Sequence, residues 1–153
     1  EIVNFNILSV VMGYYVSQER TLSIGPLPDP ARKPFETVIE AHARGLEAVR
    51  PGATCGDVAR RCIEVLERAG YDQHQLHGPG HSCGIMGAFW GREEKGEIRP
   101  YNDNVLVPGM VITIEPAVYL PDVGGFRHCD VVAVTDDGYE LLTHYDRGLI
   151  ELR

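Results

Sequence analysis

Residues 108–121 read PGMVITIEPAVYLP, a Pro-Gly turn followed by a strand of β-branched residues with Glu115 at its centre. A carboxylate inside a run this apolar is costly unless it is paired, hydrogen-bonded, protonated or bound to metal. One reading makes it functional. The other makes it the wet face of an edge strand, with Thr113 and Glu115 pointing out and Pro116 suited to an edge. Period and spacing leave the two level. Two further strand signals follow, FRHCDVVAVT (126–135) and YELLT (139–143), joined by DDG.

Two helices are expected ahead of these strands. GPLPDPARKP (25–34) leads into the first, with Asp29 as cap and Pro30 at the first helical position. Phe35, Val38, Ile39, His42, Leu46 and Val49 keep three-and-four spacing to about Val49. Thr54 and Asp57 form a capping box for the second, whose stripe is Val58, Cys62, Val65, Leu66 and Ala69 before Gly70 ends it. Residues 2–16 read as one or two strands turning at Gly13. Helices followed by successive antiparallel strands indicate an α+β fold with the helices on one face of a sheet. The whole of 1–153 reads as one compact unit, a piece of a longer chain that lacks its N-terminal part.

The formal charge of −8 excludes a nucleic-acid or anionic-membrane surface and suits a cationic or zwitterionic small-molecule substrate. No run of about eighteen apolar residues occurs, and the apolar start lacks the basic lead of a signal peptide. Cys55, Cys62, Cys83 and Cys129 form no C-x-x-C pair and read as reduced thiols of a cytoplasmic protein.

His81 stands out among six histidines. Glycines at 78, 80 and 84 allow close backbone approach and leave its ring facing a cleft, the alternative being a plain turn histidine. In FRHCDVVAVT the two-residue period puts Arg127 and Cys129 on one face and His128 and Asp130 on the other. His81, Glu115 and Cys129 are ligand types able to hold a catalytic zinc, but they lie on separate strands, and spacing does not bring them together.

GHSCG (80–84), PGMVITIEP (108–116) and GGFRHCDVVAVTDDG (124–138), in that order, resemble the signature run of the pita-bread superfamily of methionine aminopeptidases, Xaa-Pro peptidases, prolidases and creatinase. GYYVSQERTLSIG (13–25), AHARGLEAVRPGAT (41–54) and ELLTHYDRGLIEL (140–152) fit as well. The resemblance implies a curved antiparallel sheet with helices on its outer face, and a homodimer. The metallopeptidases bind two metal ions through two Asp, one His and two Glu. Carried over, the His and first Glu fall on His81 and Glu115. The other three positions fall on Asn6, Ser17 and Cys129, which implies that most of the metal-binding charge is gone.

The motif GYYVSQERTL (13–22) and the stretch FWGREEKGEIR (89–99) are nearest to creatinase. That resemblance implies a hydrolase that needs no cofactor, cutting a C–N bond of a small guanidino, amidino or amide compound. His81 is then general acid and base, Glu115 grips the cationic group, and Arg127, Cys129 and Tyr15 line the substrate site, Arg127 pairing with a substrate carboxylate. The second histidine of the family falls on Ala88. Two alternatives stay open: a peptidase with one zinc or manganese on His81, Glu115 and Cys129, and a non-catalytic peptide-binding relative.

Overall fold

A computed structural model describes residues 1–85 and 95–153. Ala88 and most of the FWGREEKGEIR stretch lie outside the described residues. Strands β1 (Ile2–Val11) and β2 (Tyr14–Ile24) form a hairpin, followed by helices α1 (Asp29–Ala48) and α2 (Cys55–Ala69). Six short strands close the chain: β3 (Val111–Ile114), β4 (Ala117–Leu120), β5 (Gly124–Arg127), β6 (Asp130–Val134), β7 (Tyr139–Leu141) and β8 (Ile150–Leu152). The pairings are β1-β2-β8, β3-β6-β7 and β4-β5, all antiparallel except β2 with β8.

The helices form where local chemistry demands. Thr54 Oγ1 accepts from Asp57 N at 3.0 Å, and Thr54 N donates to Asp57 Oδ2 at 2.8 Å, closing the expected box. Gly70 ends α2 at φ 80°, a left-handed cap that favours glycine. Helix α1 starts one residue earlier than expected, with Pro28 as N-cap and no side-chain cap. Both helices bury their stripes against the strands. Leu46, Val49, Val58 and Cys62 meet Ile112, Ile114, Val132 and Val134, while Phe35, Val38, Ala41 and Leu66 meet Val118 and Phe126.

Each of the two long strands expected near the C-terminus is broken in two. Ile114 pairs with Asp130, but three residues on Ala117 pairs with Arg127. The ribbon therefore bends, with Glu115-Pro116 on one side and His128-Cys129 on the other. Proline cannot continue the ladder, and the bend turns both strands at the same level. Thr113 and Glu115 are both buried, so the wet-edge reading does not hold. The reason is that residues 79–83 run along β3, with Thr113 N donating to His81 O and Glu115 N donating to Pro79 O at 2.8 and 2.7 Å.

One buried polar cluster ties these pieces together. Asp130 accepts from Arg20 Nη2 (2.8 Å), Thr143 Oγ1 (2.8 Å) and Arg147 Nε (2.7 Å), with His42 Nε2 at 3.3 Å. Burial pushes its carboxyl up, but the hydrogen bonds from Arg20 and Arg147 outweigh this and hold it below the usual range. Arg20 also donates to the carbonyls of Glu19 and Cys129. Behind it His128 lies edge-on to Phe35 and His42, with neither ring nitrogen hydrogen-bonded among the described residues.

Burial holds His42 down to about 4 and, with His42 adding to it, His128 down to about 3. Both are neutral in the fold and charged once unfolded in acid, so the unfolded chain binds more protons. Their contribution is complete above about pH 6.5 and is lost as pH falls toward 4. Between pH 7 and 5 each histidine is expected to remove about 2 kcal/mol. Glu19, raised to about 7 mainly by burial, works in the opposite sense and returns about as much as one histidine removes. Urea unfolding should thus show a net loss of about 2 kcal/mol at pH 5, largely abolished in His42→Gln. Equal stability at both pH values in the wild type would contradict this account.

Candidate active site

The bend at Glu115-Pro116 brings four segments to one place. Strand β2 contributes Ser17 and Glu19, the 77–83 loop His77 and His81, β3–β4 Glu115 and Tyr119, and β5 and the residues after it Arg127 and Cys129. Glu19 and Cys129 exchange backbone hydrogen bonds at 3.2 and 3.1 Å, which locks β2 against the corner. Gly80 lets the loop lie close on β3. A Cβ there would stand 2.1 Å from Thr113 O, a clash with fixed backbone.

His81 is 9% exposed and its backbone N donates to Thr113 Oγ1 at 3.0 Å. Its Nδ1 lies 2.7 Å from Ser82 O; a carbonyl only accepts, so Nδ1 carries a proton. The exchangeable proton is then at Nε2, which faces Glu115 Oε1 at 3.4 Å. The other oxygen of Glu115 meets Arg127 Nη2 at 3.1 Å, and Arg127 Nε lies against Glu19 Oε2. One guanidinium is thus clasped between two buried carboxylates. Burial works against the Arg127 charge, but Glu115 and then Glu19 more than offset it and keep the group protonated.

Cys129 is fully buried, its Sγ 3.8 Å from Ser17 O and Oγ. Burial, then Glu115 and Glu19, push its thiol well above the usual range. Ligand atoms of Glu19, Glu115 and Cys129 lie within 4.8 Å of one another. Oε1 of Glu19 accepts no hydrogen bond among the described residues, so it is free for a ligand, while Oε2 is taken by Arg127. Two carboxylates and a thiol that can ionise fit one divalent ion. Arg127, already between the carboxylates, counts against a second.

His81, Glu115, Arg127 and Cys129, picked out in the sequence, are brought together, and Ser17 joins them through Cys129. Asn6 is exposed, paired in register with Glu19 on the neighbouring strand. Tyr15 is 37% exposed, and its backbone N donates to Gly84 O while its carbonyl accepts from the Cys83 thiol. Sequence reading missed Glu19, although Ser17 and Glu19 share a face of β2 by the two-residue period. It also passed over His77, whose Nε2 meets the Tyr119 hydroxyl at 2.9 Å.

The sequence matches the family described as Metallopeptidase family M24 over residues 1–136. It is 33% identical over 152 residues to a creatinase from a Bacillus species, covering 97% of this chain and 37% of that protein. A prolidase from Pyrococcus horikoshii superposes with a TM-score of 0.90 at 30% identity, over 97% of this chain and 42% of that one. A dipeptidase from Mycobacterium ulcerans gives 0.88 at 34% identity, over 98% and 39%. The chain thus spans about two-fifths of each. These matches and the Glu19–Glu115–Cys129 cluster overturn the expectation of a site that takes no metal. That expectation counted three lost ligands and left out Glu19, which restores a carboxylate two residues from Ser17.

Proposed function

The chain belongs to metallopeptidase family M24 and has the pita-bread fold, and from that premise we propose that it is the catalytic part of a C–N hydrolase acting on a small guanidino, amidino or amide compound. The observation that carries this reading is the clasp: Glu19 and Glu115 already hold a guanidinium, that of Arg127, beside the free edge of His81. A substrate amidinium bound there lies within reach of Nε2. His81 takes a proton at Nε2 from the water that attacks the amidine carbon and returns it to the leaving nitrogen. Ser82 O fixes the ring through Nδ1, and Glu115 stabilises the imidazolium formed in between. Arg127 pairs with a carboxylate at the other end of the substrate, and Cys129 and Tyr15 bound the site from the wall and the rim.

Glu19, Glu115 and Cys129 would hold one divalent ion, in place of an amidinium and not together with it. When bound, it supplies Lewis-acid polarisation of a scissile carbonyl. This cluster, with the prolidase and dipeptidase likeness, favours a second reading: an Xaa-Pro dipeptidase whose substrate presents a neutral amide rather than a cation.

The test uses full-length protein grown with zinc and manganese. About one equivalent of metal is expected, lost in Cys129→Ala. Turnover of guanidino acids above that of Xaa-Pro dipeptides supports the first reading, the reverse order supports the second, and metal content near zero removes the ion site. We further place the protein in the cytoplasm as a homodimer. Four free cysteines support the first, and exposed Leu8, Val10, Val11 and Met12 on the hairpin support a covering partner. Among the described residues no helix is long and apolar enough to cross a membrane.

A further inference from the structure

Resting on the reading of Glu19 and Glu115 as a cation-binding pair, we infer that Arg127 is that pair's resident counter-ion. An arriving cation displaces it, so that a cation and a carboxylate bind the site cooperatively. The side chain of Arg127 is 23% exposed, against 1% for Glu19 and 5% for Glu115, so it is the member of the trio that can leave. Its backbone cannot follow. Arg127 N donates to Thr21 Oγ1 at 2.9 Å and its carbonyl accepts from the same hydroxyl at 3.1 Å.

The arginine and an incoming cation need the same atoms. Nη2 uses Glu115 Oε2 and Nε uses Glu19 Oε2, while Glu115 Oε1 is turned to His81. A cation between the carboxylates competes for these lone pairs and repels the guanidinium across a few ångströms of buried space. Tyr119 offers the displaced group a pivot. Nδ1 of His77 lies 2.8 Å from Gly78 O and must donate to it, so Nε2 accepts the Tyr119 proton. The phenol oxygen keeps its acceptor side for Arg127, whose charge works against the rise that burial gives the Tyr119 hydroxyl.

Once displaced, Arg127 is a half-exposed cation that has lost its partners, and a carboxylate at the mouth restores one. The cost of dislodging it is then shared between two ligands. By linkage each ligand strengthens the other by the same factor. A zwitterionic substrate with a cationic head and a carboxylate tail satisfies both halves in one molecule; an ion and a substrate carboxylate satisfy them together.

Calorimetric titration of full-length protein with Mn²⁺, with and without saturating N-acetylglycine, tests this without reference to turnover. The carboxylate is expected to tighten Mn²⁺ binding by a factor on the order of 5–150. Arg127→Met should bind Mn²⁺ more tightly than wild type alone and show no response to N-acetylglycine. Arg127→Lys, which keeps the charge on a shorter reach, should fall between and serves if the methionine variant does not fold. Equal Mn²⁺ affinity in all forms, unaffected by carboxylate but lost in Glu19→Gln, overturns the counter-ion role and leaves the cation pocket standing. If neither Mn²⁺ nor methylguanidinium binds any form, the pocket itself is wrong and the inference goes with it.

Discussion

Replacing His81 with alanine is expected to lower turnover by about 10²–10⁴-fold while leaving the fold intact. The size follows from the role. His81 presents Nε2 to Glu115 with its far side already fixed, as Ser82 O fixes Nδ1. The fold should tolerate the change because the 79–83 loop is held to β3 by backbone bonds that alanine keeps, and only the imidazole is removed. kcat should fall with little change in KM, since the ring acts on the reacting atoms more than on substrate grip. A wild-type kcat in His81→Ala, with binding intact, would remove the acid–base assignment and turn attention to Glu115 and Glu19.

The largest effect on stability is expected at Asp130. Its carboxylate is completely buried and neutralises Arg20, whose side chain is 4% exposed and has nowhere else to place its charge. Asp130→Ala leaves that guanidinium in the core without a counter-ion, a loss of about 3–5 kcal/mol. For a domain of this size that corresponds to a fall in Tm of about 10 °C or more. Asp130→Asn keeps the shape but not the charge and should lose most of the same amount. Arg147→Ala should cost far less, because Arg147 is 38% exposed and its loss leaves Asp130 still paired with Arg20. Thermal unfolding of the three variants decides the matter; a loss below 1 kcal/mol in Asp130→Ala would mean that the cluster does not hold the corner together.

Helix α2 was legible residue by residue, because a capping box, a stripe and a glycine stop are all local signals. The α+β class followed from the order of such signals. The break in the ribbon was not legible. VITIEPAVY reads as one strand, and only its pairing with residues 125–133 shows that Ile114 and Ala117 belong to different ladders. The burial of Thr113 was hidden for the same reason, since the loop that covers it comes from thirty residues upstream. Strand β8 escaped notice because three residues pair in parallel with β2 across most of the chain. At the site, His81, Glu115, Arg127 and Cys129 were visible as unusual residues in apolar or glycine-rich settings. Glu19 was concealed by its neighbours: GYYVSQERTL has the polarity of an ordinary solvated strand, and nothing local says that one of its carboxylates is buried.

The mutual bonding of Glu19 and Cys129 also has a timetable. Arg20 and Cys129 are 109 residues apart in the chain, and at ribosomal speed that distance takes roughly 5–20 s to synthesise. Throughout that interval the first hairpin waits with its corner partner unmade and its apolar residues bare. A nascent chain in this state is a natural client for holding chaperones, and any stall in translation before residue 130 prolongs the exposure. The corner of the site therefore closes late, when the segment after β5 reaches back to the much earlier β2.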